Sequence, residues 1–257
     1  MRTISLLMLL CTALPPAGAQ FICSADSAAI YELPGTEVPS LRGAAIFNTG
    51  QYTLLVGGEI LDATIPDSEG IYNCDMMIVD YRAKKTFVLP LDRFPPFISE
   101  QFSAVHYCYT MDNDTAYLLG GYGFDLAEGY ETTFPLLTIF PVKTLIDSVV
   151  QHKNFRNLFE GVIDRRFALL DGNLVRSGND FFVFGGHDIE TRRDEYTDRL
   201  VKNDWNCRGQ LRRFALRGPA GSREIGAYQI CTTANTFYQC MPGFPLSDLQ
   251  TSDLKKQ

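Results

Sequence analysis

Tyr52-Thr-Leu-Leu-Val-Gly-Gly58, Ala116-Tyr-Leu-Leu-Gly-Gly121 and Phe181-Phe-Val-Phe-Gly-Gly186 share one pattern, an apolar β-rich run closed by a glycine pair. The second glycines stand 63 and 65 residues apart, a near-constant period that marks a repeat architecture. Each run follows a shorter apolar segment and a turn. Gly43 to Phe47 leads through Asn48-Thr49-Gly50-Gln51, Ser103 to Tyr109 through Asp112-Asn113-Asp114, and Asn173 to Val175 through Ser177-Gly178-Asn179-Asp180. Asn, Asp and Gly tolerate the backbone of tight strand connections, so each pair of segments reads as a hairpin.

A polar loop follows each glycine pair, and then further strand-like sequence. Unit one continues with Asp75 to Asp80 and Thr86 to Leu89, and unit three with Gln210 to Leu216. Unit two continues with Pro135 to Phe140, after which Val142 to Val150 reads as a short helix. Four short strands per unit predict antiparallel blades rather than helix pairs or βαβ units. With Phe and Tyr numbering 18 and 12, and 21 Gly and 13 Pro, the composition also leans towards sheet and turns.

The order apolar strand, Gly-Gly, polar loop, second hairpin resembles kelch repeats, which build β-propellers. Unit one matches from Arg42 through Gly57-Gly58 and Asp80-Tyr81 to Leu89-Pro90. Unit three resembles exported bacterial kelch-type proteins in Asp164 to Ala168, Phe181 to Gly186, Glu195-Tyr-Thr197 and Leu211 to Phe214. The likeness runs from Ala28 to Leu216. Departures accompany it: the single tryptophan, Trp205, lies in a loop rather than on a last strand, and the period exceeds the roughly 50 residues usual for kelch. Propellers close with about four to eight blades, and only three units are clear. Ser27 to Leu33 reads as the last strand of a unit, and Ile225 to Met241 as one or two more. These ends either combine into a fourth blade, clasped by a disulfide such as Cys23 with Cys231 or Cys240, or belong to a truncated ring. The expected fold is an all-β, kelch-like propeller, small or incomplete.

Residues 1–19 have a basic start, a short apolar run and Ala17-Gly18-Ala19, the features of a secretory signal peptide. The expected domain spans 20–246, and 247–257 form a polar tail. The expected location is secreted, or periplasmic in a bacterium. No stretch has the roughly 18 apolar residues of a membrane-spanning helix. The formal charge of −7, or −8 once Arg2 leaves with the leader, argues against nucleic acid as a partner. Six cysteines outside the leader, Cys23, Cys74, Cys108, Cys207, Cys231 and Cys240, are disulfide candidates in an exported chain. None are spaced as C-x-x-C and the three histidines are scattered, so neither a metal nor another cofactor is expected.

Gly57, Gly58, Gly120, Gly121, Gly185 and Gly186 read as scaffold, because no phosphate-binding motif accompanies them. The loops after them are the candidate site, since loops on one face of a repeat fold cluster. They supply Glu59, Asp62 and Asp67; Tyr122, Phe124, Asp125, Glu128 and Tyr130; and His187, Asp188, Glu190, Arg192, Arg193, Asp194 and Glu195. Aromatics beside carboxylates and arginines suit a glycan or a protein partner, with Tyr122, Phe124, Asp125, His187, Asp188 and Arg192 the residues chosen. The alternative is a propeller enzyme acting on sugars. Resemblance to kelch-type mutarotases would ask for an acid/base pair, which His187, Asp188 and Arg192 supply, whereas the oxidases' copper ligands have no counterpart here. No G-x-S-x-G points to a serine hydrolase. Asn113 begins an N-glycosylation sequon on a hairpin tip, and His106, between Val105 and Tyr107, reads as a packed core histidine. Open sheet edges would favour self-association.

Overall fold

The computed structural model describes residues 31–61, 70–194, 199–206 and 209–232. Unit one holds β1 (Tyr31–Pro34), β2 (Leu41–Arg42), β3 (Ala45–Asn48), β4 (Tyr52–Val56), β5 (Glu59–Ile60), β6 (Ile71–Tyr72), β7 (Asp75–Asp80) and β8 (Lys85–Pro90). Helix α1 (Pro96–Phe102) leads to unit two. Unit two has β9 (Cys108–Asp112), β10 (Thr115–Leu119), β11 (Tyr122–Asp125), β12 (Tyr130–Thr133), β13 (Leu136–Pro141), α2 (Val142–Val150) and β14 (Glu160–Ile163). Unit three has β15 (Asn173–Ser177), β16 (Asp180–Phe184), β17 (His187–Arg193), β18 (Leu200–Asn206), β19 (Leu211–Arg217) and β20 (Glu224–Cys231).

Each unit contributes one antiparallel blade, in the orders β3-β4-β7-β8, β9-β10-β13-β14 and β15-β16-β19-β20. Between the second and third strand of every blade, directly after the glycine pair, sits a small hairpin: β5-β6, β11-β12 or β17-β18. The central strands read as continuous apolar runs because they are buried on both faces. Tyr117, Leu118 and Leu119 are all buried, where an outer strand alternates, as in β3 with Ala45 and Phe47 inside and Ile46 outside. The predicted helix is α2, which buries Val142, Leu145, Ile146 and Val149 at helical spacing.

The described residues form an all-β propeller of three blades, small or incomplete. The described strands nearest the two ends are used inside those blades. β1 adds a fifth strand to blade one by pairing with β8, and β20 is the last strand of blade three, paired with β19. Neither contributes to a fourth blade, because each finds its hydrogen bonds on an edge already present. The expected leader, the expected polar tail and the rest of the segment after Thr232 lie outside the described residues.

Backbone bonds stitch the blades together at their inner ends. Gly58 N donates to Ala104 O and Gly121 N to Leu169 O, both at 2.9 Å. This close approach explains the glycines: at Gly120, whose φ is +68°, an added Cβ would stand 1.9 Å from Leu169 O. Between blades one and two, Phe47 packs edge-on against Tyr109 and Phe140, and Phe102 against Phe140. Between blades two and three, Tyr117 meets Phe181, which stacks on Phe214 at 4.9 Å. Buried Gln101 holds the end of α1 to blade two. Its Nε2 donates to the carbonyls of Leu136 and Gly120 at 2.9 and 3.0 Å, and its Oε1 accepts from Thr138 at 2.6 Å.

One disulfide candidate is corrected. Cys108 is a free, buried thiol that accepts from Gly172 N at 3.2 Å, and burial pushes its pKa up to about 12. An added Cβ on Gly172 would already stand 2.8 Å from this sulfur, so the thiol packs directly against that glycine. Cys74 and Cys231 are disulfide-bonded. Cys23, Cys207 and Cys240, and with them the clasp expected of the chain ends, lie outside the described residues.

Candidate functional site

The three inserted hairpins lie side by side. Ile189 N on β17 donates to Thr133 Oγ1 on β12 at 2.9 Å, which joins the second hairpin to the third. Tyr72 on β6 donates its hydroxyl to Glu131 Oε1 on β12 at 2.8 Å, which joins the first to the second. Tyr122 on β11 donates to the other oxygen of the same carboxylate at 2.9 Å. Lys202 on β18 donates to the Tyr122 hydroxyl at 3.0 Å, with its ammonium 5.0 Å from the ring centroid. Every hairpin therefore places a side chain in one polar seam, Tyr72–Glu131–Tyr122–Lys202. At the unit-one end the seam continues to Glu59, which accepts from Arg42 Nε at 2.8 Å.

Short alternating strands place these groups. In β11 and β12, Tyr122 pairs with Thr133 and Phe124 with Glu131, so Tyr122, Phe124, Glu131 and Thr133 fall on the same face of the hairpin. The electrostatics fix who donates. Burial first, and then the Glu131 charge, raise both phenols well above the ordinary tyrosine value. Both stay protonated and spend their hydrogens on one carboxylate. Tyr72 is buried, whereas Lys202 is exposed and Tyr122 and Glu131 are partly so, leaving the seam accessible at its Lys202 end.

Of the residues chosen from sequence, Tyr122 lies in the seam. Phe124 and Asp125 follow on β11, where Asp125 Oδ1 accepts from Ala127 N and Glu128 N and so shapes the hairpin turn. His187 and Asp188 open β17. His187 Nδ1 lies 3.3 Å from Asp204 Oδ1, and Asp188 accepts from Arg165 at 3.0 Å. Burial raises the Asp188 pKa, against the pull of Arg165. His187 and Asp188 thus face separate partners rather than each other. Arg192 is exposed near the tip of the third hairpin. Asp62, Asp67 and Glu195 lie outside the described residues. Asn113 occupies an exposed turn with φ +54°, at the tip of β9-β10.

Tyr72, Glu131 and Lys202 were not singled out from sequence. They sit on the returning strands β6, β12 and β18, which read as loop because they are short and polar. Neither Tyr130–Thr133 nor Leu200–Asn206 alternates clearly between apolar and polar residues, and Ile71–Tyr72 is only two residues long, so no local signal marks them. The arginine pairs form no common basic patch. Arg165 binds Asp188, Arg166 binds Asp164 and Arg213 binds Asp180. Among the described residues no three His, Cys, Asp or Glu side chains gather as metal ligands.

His106 differs from its sequence expectation. It is half-buried rather than packed in the core, adopts φ +60°, and sets Nδ1 2.8 Å from Asp171 Oδ1. The pair links blade two to blade three.

The sequence matches no protein-family model. No curated protein matches it either. Solved structures do, among them that of YjhT, at 16% identity and a TM-score of 0.38 over 61% of this chain. That match spans 37% of the YjhT chain. The fold assignment rests on the strand order described above.

Proposed function

We propose that this chain is an exported, non-catalytic propeller module that binds a protein or glycan partner through the face formed by its three inserted hairpins. The supporting observation is the seam itself, in which the first hairpin and Tyr122 of the second donate to one carboxylate and the third adds the exposed Lys202 to the Tyr122 hydroxyl. Protonated phenols, a carboxylate and an ammonium alternate over a short distance, with the Tyr122 ring beside them for stacking. Such an alternation suits a ligand carrying several hydroxyl or amide groups. Export follows from the leader-like residues 1–19.

A glycan array and a pull-down from extracellular fluid, both with the purified chain, test the reading. The expected result is binding that falls at least tenfold, about 1.4 kcal/mol, in Lys202→Ala and Tyr122→Phe while the circular dichroism spectrum is unchanged. Binding that both variants retain in full would move the site elsewhere. Turnover of a reducing sugar by the wild-type chain, lost in His187→Ala, would replace the binding module with the sugar-acting enzyme.

A further inference from the structure

Gly43, His106 and Asp171 hold the same place in units one, two and three, two residues before the first blade strand. All three have left-handed backbones, with φ of +70°, +60° and +56°. They are joined across the blades: His106 N donates to Gly43 O and Asp171 N to His106 O, both at 2.8 Å. Glycine takes this conformation freely, whereas His and Asp take it at a cost that the surrounding bonds must hold. Where unit one has a bare glycine, units two and three therefore present side chains that meet, His106 Nδ1 to Asp171 Oδ1 at 2.8 Å. The two side chains are 35% and 51% exposed, so solvent protons reach them.

Each member of this pair adjoins a bridge to a hairpin. Val105, just before His106, exchanges both backbone bonds with Tyr122 at 2.8 and 2.9 Å. Leu170, just before Asp171, does the same with His187 at 2.8 and 2.9 Å. The hairpins carrying Tyr122 and Lys202 thus start one residue away from the two halves of the ion pair.

We infer that His106 and Asp171 form a pH-operated latch at the inner ring, which holds the second and third hairpins in register when His106 is protonated and releases them when it is not. The consequence for ligand affinity rests on the binding face proposed above; the latch itself does not. The groups facing His106 are Asp171 from unit three and Glu59 and Arg42 from unit one. The hydrogen bond to Asp171 is the largest influence and raises the His106 pKa; burial opposes it, the charges of Asp171 and Glu59 add to it, and Arg42 subtracts. A folded-state value above the ordinary 6.5 means that the latch contributes fully below pH 6.5 and is lost as pH rises through the raised value.

Trp205 reports on this directly. It is the single tryptophan of the chain and lies on β18 of the third hairpin, opposite Asp188. Its emission is followed from about pH 5 to pH 9, the range that spans histidine titration. The expected result is a transition with its midpoint above 6.5 in the wild type. That transition should be absent in His106→Asn and displaced downward in Asp171→Asn, which removes the largest influence raising the His106 pKa. Asparagine tolerates the left-handed backbone, so both variants keep the ring geometry. His187, paired to Asp204 on the same hairpin, is the competing source of a signal. A transition that survives His106→Asn and disappears in His187→Gln overturns the latch, and so does a flat wild-type profile. Neither result bears on whether the hairpin face binds a partner, which the array decides separately.

Discussion

The two junctions between blades are built from different materials. Among the described residues, the core at the junction of blades one and two holds 23 buried apolar residues against 12 at the junction of blades two and three. Both helices belong to the first junction, where Phe94, Phe102, Phe140 and Phe159 make ring contacts at 5.2 to 5.9 Å. The second junction has a smaller aromatic centre and a border of charge. Arg176 of blade three pairs with Asp112 of blade two and covers the rings of Tyr117 and Phe181. Arg223 lies 3.4 Å from Glu160, and His106 meets Asp171. Apolar burial responds little to salt or pH, whereas partly exposed ion pairs respond to both. The first junction therefore rests mainly on apolar burial, and the second adds the partly exposed ion pairs on which solution conditions act.

The largest test removes the centre of the first junction. Phe102 is fully buried in the ring cluster, so Phe102→Ala should cost about 3–5 kcal/mol in urea unfolding, at any salt concentration. A loss below about 1 kcal/mol would mean that the site collapses to fill the cavity and that this junction does not rest mainly on apolar burial. Next is Gln101→Leu, which keeps the volume of the side chain but strips three carbonyls and the Thr138 hydroxyl of their shared partner. About 1–3 kcal/mol should be lost, measured by the same unfolding curves. Thr138→Val should recover part of it, because the hydroxyl left alone is then removed.

How much of this was legible in advance differs between scaffold and site. The glycine pairs exposed the blades because each pair ends a strand where the neighbouring backbone comes within bonding distance, and no other residue fits there. Periodicity of apolar residues then placed the strands and α2. The inserted hairpins were hidden for the opposite reason. Glu59–Ile60 and Ile71–Tyr72 are two residues each, too short to show an alternation, and polar on the face that matters. Tyr72 and Glu131 are 59 residues apart in sequence, so nothing local announces that they touch. His106 was misread because a strand neighbourhood of Val105 and Tyr107 implies burial, while its left-handed backbone turns the side chain out of the strand's alternation. The ends of the chain read either as parts of a fourth blade or as parts of a truncated ring, because a final strand and a first strand share one pattern. Only pairing distinguishes an edge strand added to an existing blade from the start of a new one.

The smallest test addresses the charged border. Arg176→Met retains most of the apolar stem that covers Tyr117 and Phe181 and removes the guanidinium that holds Asp112. With side-chain exposures of 24% and 40%, this pair is worth about 1 kcal/mol at most, ring contact included. The size of the loss is less informative than its dependence on salt. Unfolding of the wild type at about 0.05 M and 1 M salt, where the screening length falls to about 3 Å, should show a drop in stability that Arg176→Met reduces. Phe102→Ala, by contrast, should keep the wild-type salt response, because its lost energy was never electrostatic. If both variants retain that response, the charge border contributes nothing to docking blade three. The two junctions would then differ only in size.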